Sequence, residues 1–342
     1  MSTSPAAPTP TPPPGEGRHP GRAARRRARR LPPPLPQRDG LDAVRWRVPQ
    51  GWTGPATALP ALLARFPALE DPAATPPAER FAADEVVDVR GRPWTATDPV
   101  GPGDELWFHR ELREEQVPTD PLPILFRDEH LLVLDKPHDV ATMPRGAHVL
   151  ASALVRLRRA TGIETLVPLH RLDRRTAGVL AFGIRPEERS AYQQLFARRE
   201  VDKRYEALVV PAPGCTLPSA AGERALLADR TVKPRGSLVA QVVPGEPDAL
   251  TELEVLGGAD GGALHVALRP RTGRTHQLRL QLSSRGAPIA GEDLYPVPRP
   301  DPEGPLQLLA RSLAFTDPVT GQARSFRSAQ VLSGIGTVRW PS

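Results

Sequence analysis

The sequence predicts an α+β fold, on three observations. Short apolar strands and amphipathic helices mix without the regular βαβ alternation of a doubly wound sheet. Gly- and Pro-containing turns divide the strands. The chain has 342 residues, 39% of them apolar, which suits one large domain and an accessory module at about 100–200 residues per domain.

Residues 1–38 read as a disordered Pro/Arg-rich tail. PTPTPPP (8–14), RAARRRARR (22–30) and LPPPLP (31–36) offer almost nothing to bury. Eight arginines against the single acid Glu16 give the tail +7, so residues 39–342 carry −1 of the net +6. The body lacks the global basic footprint of a nucleic-acid binder, and any such affinity there rests on local patches. The seven arginines from Arg18 to Arg30 suit non-specific phosphate binding.

Residues 39–118 read as a small accessory module. TALPALLARF (57–66) places Leu59, Leu62, Leu63 and Phe66 at helical spacing. The stretch 85–112, ending in GDELWFHREL, breaks into short strands between Gly and Pro turns.

Residues 119–335 form the main domain. PILFRDEHLLVLDKP (123–137) is a strand, a turn at Arg127–His130 and a returning strand from Leu131. ASALVRLRRATG (151–162) is a helix with Gly162 as its C-terminal stop. SAYQQLFARRE (190–200) is a second helix, with Tyr192, Leu195 and Phe196 on one face. KRYEALVV (203–210), LTELEVL (250–256) and ALHVALRP (263–270) are strands, the last running into the loop RTGRTHQ and then LRLQL (278–282). The Gly- and Pro-rich stretch 211–248 reads as irregular.

The remaining signals are negative. No run approaches the roughly 18 apolar residues of a membrane helix, and the N-terminus lacks a secretory apolar core. One cysteine, Cys215, leaves no disulfide framework and no Cys-cluster zinc site. The eight histidines fall in no ligand spacing such as HExxH. The expectation is a cytoplasmic chain, monomeric by default, with no metal and no cofactor.

HRLDRRT (170–176) sets one acid, Asp173, among three arginines and a histidine, just before the apolar run Val179–Phe182. That pattern puts Asp173 at the edge of a cleft where a charged loop enters a buried strand. Taken alone, such a charge run is more often a solvated loop. The whole string HRLDRRTAG (170–178) resembles the signature His-Arg-Leu-Asp-Arg-x-Thr-Ser-Gly of the RluA-type RNA pseudouridine synthases, differing at Ala177. Further segments are similar to family elements in the same order: ILFRDEHLLVLDKP (124–137), VDKRYEALV (201–209), RPRTGRTHQLRLQL (269–282) and GAPIAGEDLY (286–295).

The resemblance covers about residues 120–330. It implies a mixed, largely antiparallel central sheet with flanking helices, and residues 39–118 faintly resemble an αL-type RNA-binding module. The implied reaction isomerises uridine in ribosomal or transfer RNA. Asp173 falls on the family's catalytic aspartate, Tyr205 on its active-site tyrosine, and Arg279 on the basic residue that pairs with the aspartate. Arg171 falls on the arginine that fills the gap left by a flipped base. The basic residues of these motifs, Arg171, Arg174, Lys203, Arg274 and His276, are the expected RNA contacts, and Leu280 is expected to help exclude water.

Ala177, Glu292 and Leu309 stand where the family usually has serine, aspartate and histidine, and ATMPRG (141–146) replaces its Val-His-Pro ending. Two other classes stay open. A catalytically silent RNA-binding or assembly protein has no need of Asp173, Tyr205 and Arg279 together. An aspartate glycosidase generally uses two flanking carboxylates, and this loop supplies one.

Overall fold

A computed structural model describes residues 32–146, 148–299 and 304–333. The arginine run 22–30 lies outside them. The chain divides into two compact units, one containing Asp42–Glu111, the other Gln37–Leu41 and the chain from Leu112 onward.

The first unit pairs β1 (Val44–Arg47) antiparallel with β2 (Glu105–Phe108) and adds two short helices, α1 (Ala58–Arg65) and α2 (Pro77–Ala82). Trp46, Val48, Leu62, Phe81 and Phe108 form its core. Its rings meet edge-on, with Trp46 and Trp52 centroids 5.2 Å apart and Phe66 and Phe108 5.5 Å apart, the geometry that ring quadrupoles favour.

The second unit is built on an eleven-stranded sheet. β3 (Ile124–Arg127) and β4 (Leu131–Lys136) form the expected hairpin, its turn held by the Asp128 carboxylate, which accepts from the His130 and Leu131 N–H groups. α3 (Ala153–Thr161) ends at Gly162, whose φ of 69° makes it a left-handed cap. Then come β5 (Val167–Pro168), β6 (Ala177–Gly183), α4 (Arg189–Arg198) and β7 (Asp202–Val209). β8 (Arg224–Val232), β9 (Gln241–Val243), β10 (Ala249–Gly258) and β11 (Leu264–Pro270) extend the sheet. α5 (Gln277–Ser283), β12 (Leu308–Thr316) and β13 (Ala323–Arg327) complete it. The strand order is β3-β4-β6-β12-β7-β11-β10-β8-β9, with β13 on β12 and β5 on β6. β6 runs parallel to β12, and the other pairings among the named strands are antiparallel.

β4 and β6 are buried at every residue, which is why Leu131–Leu134 and Val179–Phe182 read as unbroken apolar runs. Their side chains divide between two faces. Leu131, Val133, Val179 and Ala181 meet Tyr192 and Leu195 of α4. Leu132, Leu134, Leu180 and Phe182 meet Leu154 and Leu157 of α3. A third cluster packs Leu278 and Leu282 of α5 on Ala207, Leu253, Val255 and Leu268.

Two segments differ from their sequence reading. The stretch 211–248 holds β8 and β9. β8 shows no apolar alternation, because adjacent Leu226 and Leu227 are both apolar although one is 63% exposed and the other buried, and Asp229, Arg230 and Thr231 follow on the same strand. LRLQL, to which no element type was assigned, lies within α5, and all seven residues of that helix are buried.

Candidate active site

The loop carrying Asp173 is fixed from beneath by buried polar groups. Lys136, fully buried at the end of β4, donates to the carbonyls of Pro137, Val140 and Arg174 at 2.8, 2.8 and 3.0 Å. Three acceptors match the three hydrogens of an ammonium. Burial pulls Lys136 down to about 7, against the attraction of Asp139 and Asp173. Thr142 Oγ1 donates to the Leu172 carbonyl at 2.7 Å and accepts from the Leu172 N–H at 3.2 Å. Arg175 is buried and donates to the Gly291 and Gly304 carbonyls. Asp173 is thereby presented on a clamped turn closed by Thr176 N–H donating to its own carbonyl, with its side chain 34% exposed.

Gly178 sets the start of β6. Its φ is +109°, and a Cβ there would lie 2.2 Å from the Ala310 carbonyl oxygen. Only glycine permits both this backbone and this approach to β12.

Asp173, Tyr205 and Arg279 line one cavity of about 1000 Å³, together with Arg171, Lys203, Arg274 and His276. Tyr205 stands on β7 between two core clusters. Burial, and then the Asp173 charge, raise its phenol above the usual tyrosine value, so it keeps its proton at neutral pH. Burial, then Arg199, lower the Lys203 ammonium. The loop RTGRTHQ is folded by Gln277, whose Oε1 accepts from Thr272 Oγ1 and the Arg274 N–H while its Nε2 donates to the Leu250 carbonyl and Thr251 Oγ1.

Arg279, on α5, is 3% exposed. Its Nε donates to Glu292 at 2.9 Å and its Nη2 to both Glu292 and Asp293. Burial alone would lower its pKa; Glu292, then Asp293 and Asp173, outweigh this and raise it. The resemblance implied that Arg279 pairs with Asp173. In the structure its ion pairs run to Glu292 and Asp293, and the basic side chain within 4 Å of the Asp173 carboxylate among the described residues is His276, Nε2 to Oδ1 3.9 Å, an ion pair only when the imidazole is protonated. Glu292, at the family's aspartate position, serves as the arginine's anchor, and also accepts from the Asp293 and Leu294 N–H groups.

Arg174 is not among the cavity-lining residues; it pairs with Asp139 at 2.9 Å. Leu280 packs with Ala240 and Tyr295 behind the wall, and Leu278 faces the cavity instead. Arg274 pairs with Asp248 at 3.1 Å. Arg171, Arg199 and Lys203 line the cavity with no ion pair among the described residues. Arg199 escaped the sequence reading: it takes the left-handed cap after α4, φ 62°, which no residue type announces.

His170 bounds the same cavity and stacks on Phe196, centroids 5.1 Å apart at 20°. Ala181 N–H donates to its Nε2 at 3.2 Å, so that nitrogen is unprotonated. Burial, then Lys203, hold the imidazole down to about 3, whereas an unfolded histidine titrates near about 6.5. As pH falls below 6.5 the unfolded chain takes up a proton that the folded chain refuses, so stability declines through that window down to about 3. We expect the urea midpoint to fall from pH 7 to pH 5, and His170→Gln to flatten that fall; an unaltered pH dependence in the variant contradicts this account.

Comparisons with known proteins agree with this geometry. The profile of the family described as RNA pseudouridylate synthase matches residues 130–284. The dual-specificity RNA pseudouridine synthase RluA of Haemophilus influenzae (strain Rd) is 33% identical over 222 residues, 64% of this chain and 97% of that protein. Its namesake in Escherichia coli (strain K12) is 31% identical, over 62% of this chain and 94% of its own length. Human RNA pseudouridylate synthase domain containing 1 has a similar fold, with a TM-score of 0.52 at 23% identity, covering 64% of this chain and 86% of its own. A signature loop clamped at the edge of a cavity, the motifs in family order and relatives matched over nearly their whole length agree: the chain belongs to the RluA-type RNA pseudouridine synthases, isomerases that convert uridine to pseudouridine in RNA.

Proposed function

We propose that the substrate is a uridine in ribosomal or transfer RNA and that Asp173 is the catalytic carboxylate. The observation that carries this is that Asp173, Tyr205 and the cations Arg171, Arg199 and Lys203, which form no ion pair among the described residues, line one cavity. A uridine inside folded RNA must leave its stack before a side chain can reach its glycosidic bond. Arg171, exposed beside Asp173, suits the vacated space, because a planar guanidinium stacks and hydrogen-bonds there.

The bond from uracil N1 to ribose C1′ breaks, the base turns, C5 bonds to C1′, and the C5 proton is lost while N1 gains one. The Asp173 carboxylate acts at the ribose or at the base, as nucleophile or base. Tyr205, protonated at neutral pH, offers a stacking face and a hydrogen-bond donor to the uracil rather than a phenolate. Arg279, anchored by Glu292 and Asp293, gives the carboxylate a fixed cationic neighbour. The reading takes the chain as a cytoplasmic monomer using no metal or cofactor. Among the described residues no helix is long and apolar enough to cross a membrane.

Two experiments test this reading. Bulk ribosomal and transfer RNA from cells lacking the protein, incubated with it and mapped for pseudouridine by carbodiimide-dependent reverse-transcription stops, should gain a stop in at least one fraction. Gain in neither sinks the substrate assignment. For the cations, Arg199→Gln and Lys203→Gln should each lower the slope of log affinity against log salt by roughly 0.7–0.9, the worth of one phosphate contact. Slopes equal to wild type remove them from the RNA path.

A further inference from the structure

Among the described residues His276 is the basic side chain within 4 Å of the Asp173 carboxylate, and its ring is held by a directed chain. It takes a left-handed backbone conformation, φ 54°, just before α5, uncommon for any residue with a side chain. That turn aims its Nε2 at Asp173 Oδ1, 3.9 Å away, and its Nδ1 at Tyr295 Oη, 2.9 Å away. Tyr295 is itself fixed: Ala240 N–H donates to its Oη at 2.8 Å, Arg279 Cζ lies 5.8 Å from its ring, and its ring meets the His276 ring edge-on at 5.9 Å.

The donors can be assigned along this chain. Tyr295 Oη accepts from Ala240, which leaves its own single proton free to be donated. Given to His276 Nδ1, it makes that nitrogen the acceptor, and a neutral imidazole then carries its hydrogen on Nε2, facing the carboxylate. Burial, with Arg279 and Lys233, lowers the His276 pKa against the pull of Asp173 and Glu292, which favours the neutral ring.

We propose that His276 is a positioning residue for the isomerisation: its Nε2–H, set by the Ala240–Tyr295 chain, orients the Asp173 carboxylate toward the bound uridine. The 3.9 Å gap is longer than a hydrogen bond, and closes to one as substrate binds, since catalytic hydrogen bonds often tighten in the complex. This assigns His276 a role on Asp173 rather than on RNA, and it rests on the reading of Asp173 as the catalytic carboxylate.

The test pairs two near-isosteres. Gln places an amide N–H near the Nε2 position, whereas Asn places its amide near Nδ1. His276→Asn should lower kcat about 30-fold at unchanged KM, the worth of one hydrogen bond to a charged group, while His276→Gln should lose only about 3-fold. Equal losses in both, or a rise in KM without loss of kcat, would overturn the proposal; thermal melts establish that both variants fold. Independently of activity, ¹⁵N NMR of the wild-type protein should show His276 protonated on Nε2 and bare on Nδ1, and the reverse tautomer overturns the proposal. A wild type inactive on every RNA would defeat the substrate reading alone, with the NMR result still deciding the tautomer.

Discussion

Asp173→Ala is expected to abolish turnover while leaving RNA affinity within about 1–2 kcal/mol of wild type. The side chain lies at the edge of the cavity, a third exposed, with its partner His276 at 3.9 Å. Removing it empties little packed volume and leaves no buried charge stranded. What is lost is the carboxylate proposed to react, and loss of a reacting group typically lowers kcat by about 10⁴-fold or more. Asp173→Asn keeps the shape and removes the charge, and should be comparably inactive. Activity near wild type in either variant, or loss of folding in both, would defeat the assignment of the carboxylate.

Gly178→Ala is the second large effect, and it acts on the fold. The new methyl would meet the Ala310 carbonyl oxygen at 2.2 Å, between backbone segments of β6 and β12 that have no flexible side chain to move aside. A φ of +109° adds strain for any residue with a Cβ. Together these should cost more than about 3 kcal/mol, seen as a large drop in melting temperature or as insoluble protein. Because Gly178 lies five residues after Asp173, in the strand that begins at Ala177, a surviving fraction should also show reduced kcat. A melting temperature equal to wild type would mean that β6 and β12 do not approach as closely as described.

Parts of this architecture were legible in the sequence for physical reasons. β4 and β6 are buried on both faces, so their apolar runs were unambiguous. α3 announced its end through Gly162. The loop around Asp173 was readable only as a whole string, through its resemblance to the family signature; its charge pattern alone reads as a solvated loop. α5 was not readable, since its polar residues are buried against partners distant in sequence. Gln281 donates to the Leu227 and Ala249 carbonyls and accepts from Thr251 Oγ1, and Arg279 is held by Glu292. The alternation L-R-L-Q-L carries no trace of those partners. The choice of Glu292 and Asp293 over Asp173 as the arginine's ion-pair partners is likewise a tertiary fact.

Tritium release from RNA carrying 5-³H-uridine tests the central claim most directly, because the proposed reaction replaces the C5–H bond with a bond to ribose C1′. Wild-type protein should release tritium to water in proportion to product, from ribosomal or transfer RNA made in cells lacking the protein, and Asp173→Ala should release none. Release by both proteins, or by neither when the wild type is folded and the RNA unmodified, would contradict the account.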